Sequence, residues 1–110
     1  MAYTPPKPLD VGELIANANE DVYTVGANLR ALISAATAKN TTGTAATLTV
    51  WLGTAASDAT ERMKITLGPE EHASLDAIVG QSMEAAEKII MVSGTNDVIS
   101  VRITGSEYTV

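Results

Sequence analysis

Few groups in this sequence could do chemistry, and they cluster in one stretch. Its single histidine, His72, follows Glu70-Glu71 and precedes Ser74 and Asp76. In an extended segment, residues two apart share a face, so His72, Ser74 and Asp76 would stand together. That composition is the composition of a nucleophile, base and acid. The order and spacing match no motif that orients a nucleophile against a base, and His72 reads as a surface histidine beside two acids. Glu70, His72 and Asp76 could in principle face a cation, but their spacing fits no known ligand pattern, so no metal site is expected. Asn96-Asp97 reads as a turn. Trp51, the one tryptophan, has two readings: an exposed anchor for a partner, or a cover over a small alanine-lined core.

The rest of the composition works by exclusion. The 110 residues carry 13 acids against 7 bases, a net charge of −6, and no cysteine. A thiol nucleophile, a disulfide framework and a thiolate zinc site are thereby excluded. Bases fall one to a segment with no aromatic interleaving, so no nucleic-acid partner is expected. The glycines are isolated at segment ends rather than gathered into a phosphate loop, and no cofactor is expected. An acidic surface is ill suited to anionic lipid, and the apolar run at 31–38 is far shorter than the roughly 20 residues a spanning helix needs. The opening MAYTPPKPLD lacks the basic and apolar regions of a secretory signal. The reading is non-enzymatic.

Something must still position these residues, and the pattern along the chain divides in two. Residues 1–21 read as an extended arm, because Pro5, Pro6 and Pro8 remove amide donors and favour extended backbone. Within it, Asp10 and Glu13 form a capping-box pattern, and Val11, Leu14 and Ile15 fall at helical spacing, which predicts a possible short helix over 10–17. Tyr3, Leu9, Leu14 and Ile15, with the three prolines, are what such an arm would offer a neighbouring subunit. A frayed terminus is the alternative.

Residues 22–110 read as one β domain. Alternation of period two marks strands at 22–25, 29–37, 46–52, 62–67, 89–93 and 98–104, separated by loops such as 39–43 and 53–60. In 29–37, Leu29, Ala31, Ile33 and Ala35 are expected on one face. The stretch 70–83 is in conflict with itself. Pro69 before two glutamates, then Leu75, Ile78, Val79 and Met83, predict a helix; Gly80 in mid-run opposes one. Short strands separated by turns every 8 to 12 residues fit a sandwich or barrel.

The order of these pieces resembles that of small structural proteins of tailed bacteriophages. The residues carrying the resemblance are DVYTV at 21–25, LRALISAATAKNTTGTAATLTVWL at 29–52 with its Asn40-Thr41-Thr42 loop, and the strands at 89–93 and 99–107. It spans residues 21–108. Two departures are Gly26, where proline would be usual, and the helical signal in 70–83, which the resemblance would replace with two strand pieces flanking Gly80-Gln81.

The resemblance implies a mostly β protein, an antiparallel β-sandwich of jelly-roll type, serving as a virion component assembled in the host cytoplasm. It would be a capsid decoration or cement protein that binds the major capsid protein or other virion subunits through its arm and sheet surface. It would also self-associate as a dimer or trimer. The alternatives are a tail or fibre component and, from a different class, a carbohydrate-binding β-sandwich module using Trp51. A contact made through a basic patch is not expected from so acidic a chain.

Overall fold

Aliphatic and β-branched residues at every second position make strands here, because one side of each strand can be buried while the other faces water. The computed structural model describes residues 7–15, 17–94 and 98–109, and within them lie nine strands and no helix. They are β1 (Lys7–Leu14), β2 (Glu20–Thr24), β3 (Leu29–Asn40), β4 (Ala46–Gly53), β5 (Glu61–Leu67), β6 (His72–Ser74), β7 (Ser82–Met83), β8 (Lys88–Ser93) and β9 (Ile99–Thr109). Every pairing is antiparallel.

A five-stranded sheet runs β1-β9-β3-β6, with β7 also paired to β3, and a four-stranded sheet runs β2-β8-β4-β5. The chain switches sheets at most of its connections. With β6 and β7 sharing one place beside β3, the strand order is that of a jelly roll. The mostly β, antiparallel two-sheet fold expected from the sequence is the one observed.

The core lies between the sheets. Ile33, Val101 and Ile103 from one face Leu48, Val50 and Met91 from the other within a single cluster. Every buried hydrophobic side chain described is Ile, Leu, Val, Met or Ala. Such a core is thin, and the molecule measures 46 × 27 × 19 Å.

Neither expected helix forms among the described residues. Residues 10–14 belong to β1, in register from Asp10 opposite Ile103 to Leu14 opposite Ser100. The Ile15 amide donates to the Ile99 carbonyl at 2.8 Å. A lone helical turn satisfies few of its own backbone groups, whereas the edge of β9 offers a row of them. The expected arm is therefore extended over 7–14 but is laid along its own chain.

The helix predicted over 70–83 gives way to turns. The Gly68–Glu71 and Ile78–Gln81 segments are each closed by an amide-to-carbonyl bond, at 3.1 and 3.2 Å, and each has its third residue at positive φ: Glu70 at 58° and Gly80 at 86°. That combination is the pattern of a type II turn. A third turn, Leu75–Ile78, puts Leu75 and Ile78 at its two ends, both fully buried. Spacing by three, which reads as one face of a helix, is here the span of a turn plugging the core. Strand pieces do flank Gly80-Gln81, at His72–Ser74 and Ser82–Met83.

A smaller correction concerns β3. A bulge between Ile33 and Ala35 shifts its register against β9. Beyond it, Ala36, Ala38 and Asn40 point inward and Ala35 is exposed. An inserted residue reverses the facing of everything that follows.

Candidate functional site

The residues that resembled a catalytic set do not meet as one. His72 and Ser74 are exposed on β6, and the Ser74 hydroxyl donates to the Asp76 carboxylate at 2.7 Å. In a nucleophile–base–acid arrangement the hydroxyl would point at the imidazole and the acid would hold that ring. Here the acid holds the hydroxyl. Among the described residues, no group of three or more His, Asp or Glu side chains could hold a metal ion. Within the same residues, no helix is long and apolar enough to cross a membrane.

Trp51 lies on the outward side of β4. Inward-facing Leu48, Val50 and Leu52 alternate with Thr47, Thr49 and Trp51, and the register sets Trp51 opposite Ile90 and Thr49 opposite Val92 on β8. Ile90 is only 4% exposed although it stands outside the main core cluster, and Trp51 is half-buried. An apolar strip thus occupies the middle of the four-stranded sheet's outer face. It is flanked by Lys88, paired with Asp21 at 3.0 Å.

The other candidate contact residues separate. Tyr3, Pro5 and Pro6 lie outside the described residues. Pro8, Leu9 and Leu14 lie on β1 along the edge of β9. Ile15 is fully buried in its own chain's core.

Two polar assemblies hold the ends of the sandwich and were not singled out from sequence. At one end, the Tyr23 hydroxyl on β2 donates to the Glu107 carboxylate on β9 at 2.5 Å, tying the two sheets together. Burial, and then this carboxylate, push the Tyr23 hydroxyl well above the usual tyrosine range. At the other end, the fully buried Asn40 amide donates to the carbonyls of Thr44, Leu67 and Gly68 at 2.7, 3.1 and 3.1 Å. Its oxygen accepts from the Thr42 amide and hydroxyl. The sequence marks this asparagine as a loop residue; nothing in a single sequence tells a buried loop organiser from an exposed one.

The fold also gathers charge. Lys39 on β3 is in register with His72 on β6 and Ser100 on β9, two residues from Thr37 opposite Arg102. These side chains line a shallow depression of about 240 Å³ on the outer face of the five-stranded sheet. Bases that are scattered along the sequence are neighbours in the sheet.

The architecture defines a class, the two-sheet antiparallel β proteins of jelly-roll order. No family model and no curated protein matches the chain. One solved structure to which it is similar comes from work titled "Bacillus endospore appendages form a novel family of disulfide-linked pili", with a TM-score of 0.59 and 14% identity, covering 99% of this chain and 89% of that one. At that identity the likeness is one of fold.

Proposed function

We propose that the protein is a non-enzymatic structural subunit of a tailed-phage virion, attached to the capsid shell as a decoration or cement protein. The observation that carries this reading is Trp51, which stands half-buried on the outer face of the four-stranded sheet in register with the buried Ile90. A tryptophan partly exposed on an outward sheet face suits a protein–protein contact. The flat shape and light aliphatic core agree with a module that gains stability from its neighbours. The strand order of the body and the residue pattern of 21–108 support the same class.

A filament-type role, as a tail or fibre component, is the second reading. It is favoured by the likeness to a pilus-forming protein over nearly the whole chain. That protein's pili are described as disulfide-linked; this chain has no cysteine, so its copies would not be joined by disulfides within the given sequence. A carbohydrate-binding role has less support, because the described tyrosines lie on other strands and Trp51 stands without a second aromatic on its face.

Quantitative mass spectrometry of purified particles separates these readings. Hundreds of copies per particle are expected for a shell protein, and six or a dozen would move the assignment to the tail. Absence from particles, or filaments formed by the protein alone, would overturn the decoration reading.

A further inference from the structure

The depression around Lys39 lies on the sheet opposite the Trp51 face, and its chemistry is different. Three strands contribute to it: β6 with His72, β3 with Thr37 and Lys39, and β9 with Ser100 and Arg102. Adjacent strands are spaced about 4.8 Å apart and residues two apart along a strand about 6.8 Å, so Lys39 stands within about 9 Å of both His72 and Arg102 at the backbone.

Among the described residues, no carboxylate pairs with the cations of this depression. Arg30 stands 3.7 Å from Glu84 and Lys88 stands 3.0 Å from Asp21. Among the described residues, Lys39 and Arg102 have no ion pair, and both are exposed. Among the same residues, Arg62 and Lys64 on β5 are also without an ion pair, so what sets Lys39 and Arg102 apart is their convergence with His72 on one depression. Two described acids near β6 are engaged by neighbouring groups of their own loops. Asp76 accepts from Ser74 at 2.7 Å, and Glu71 accepts from the Gly68 amide at 2.6 Å. Hydroxyls at Thr37 and Ser100 add neutral donors around the cations.

We propose that this depression is the docking site for carboxylate side chains on the surface of an acidic partner protein, a contact that rests on the assembly role proposed above. Charge complementarity selects the partner. A surface with six surplus negative charges repels another acidic surface, except through a face where its cations are concentrated. The depression is open to solvent, so an opposing protein surface can lie against it. Such a contact gives orientation and rate of encounter, and the apolar strip on the opposite face remains available to a second neighbour.

The test uses the full-length protein and a capped hexaglutamate peptide, followed by backbone amide NMR. The expected result is a set of shifts centred on Lys39, His72, Ser100 and Arg102, weakening steeply with added salt. Lys39→Gln combined with Arg102→Gln is expected to weaken the peptide at least tenfold with the spectrum otherwise unchanged. Arg62→Gln with Lys64→Gln, at the edge strand β5, is expected to leave it within twofold. The proposal is overturned if no shifts occur, if they spread equally to Arg62 and Lys64, or if inorganic phosphate or glucuronate binds this site more tightly than the peptide. Copy number on particles is read separately, so failure of the assembly role and failure of this site give different results.

Discussion

Asn40 is the residue on which the most backbone depends. Its side-chain amide serves three carbonyls from two different loops, and its oxygen serves Thr42. Removing it strands buried acceptors whose desolvation nothing else offsets. Asn40→Ala is expected to lower stability by about 2–3 kcal/mol in urea unfolding. Asn40→Asp is expected to be worse at neutral pH, because a carboxylate would face three carbonyl oxygens with no hydrogen to give. Its deficit should narrow as the pH falls and the new carboxyl is protonated. Tyr23 makes the complementary case. Its hydroxyl titrates above the usual range in the folded state, so the folded protein holds that proton where the unfolded chain releases it. The resulting stability is fully present below about pH 10 and declines as the pH rises beyond it. Tyr23→Phe should flatten that alkaline decline while losing the Glu107 hydrogen bond at neutral pH, both measurable by urea unfolding between pH 7 and 11.

Turns set the path of the chain at the level of elements. Four turns of one pattern occur, with positive φ at Asn28, Glu70, Gly80 and Ala86 and a closing amide-to-carbonyl bond in each. In two of them a glutamate at the fourth position also accepts from the amide of the first, at 2.6 Å in both Gly68–Glu71 and Glu84–Glu87. Alanine pays a steric penalty of about 1–2 kcal/mol in this conformation, partly offset by its smaller freedom when unfolded. Ala86→Gly is therefore expected to raise stability by about 0.5–1 kcal/mol, read as a higher urea midpoint with an unchanged slope. Strands with clean alternation were readable from sequence: β4, β5, β8 and most of β9 fall where the pattern put them. What was not readable arose from geometry that alternation does not carry. A bulge inside β3 is a one-residue event with no composition of its own. Leu75, Ile78 and Met83 obey a helical period for reasons belonging to turns. The Lys39–His72–Arg102 cluster exists through strand pairings between residues up to 65 positions apart, as in Lys39 with Ser100 and Thr37 with Arg102. Pairings of that range leave no trace in local spacing.

For the molecule as a whole, the placement of β1 changes what truncation can test. Deleting residues 1–15 removes a strand of the five-stranded sheet and the fully buried Ile15, a core side chain whose loss alone is worth about 2–5 kcal/mol. Deleting residues 1–6 spares both. The shorter deletion is expected to keep the thermal midpoint within a few degrees, and the longer one to lower it sharply or abolish folding, as followed by far-ultraviolet circular dichroism. A fall in particle occupancy after the shorter deletion would then report on attachment through the first six residues rather than on folding.

The pairing of β1 with β9 also governs how the protein is made. Lys7 lies opposite Gly105 and Leu14 opposite Ser100, so the first strand has no partner until residues 100–105 have been made. Until then the inner edge of β1 and the apolar side of β3 are both open to whatever they meet. Closure of a loop this long is slow compared with the formation of hairpins such as β4 with β5. Without β9, β1 and β3 have no connection within the five-stranded sheet. Crowding of nascent copies during abundant synthesis is the circumstance in which a strand from one chain would most readily be borrowed by another.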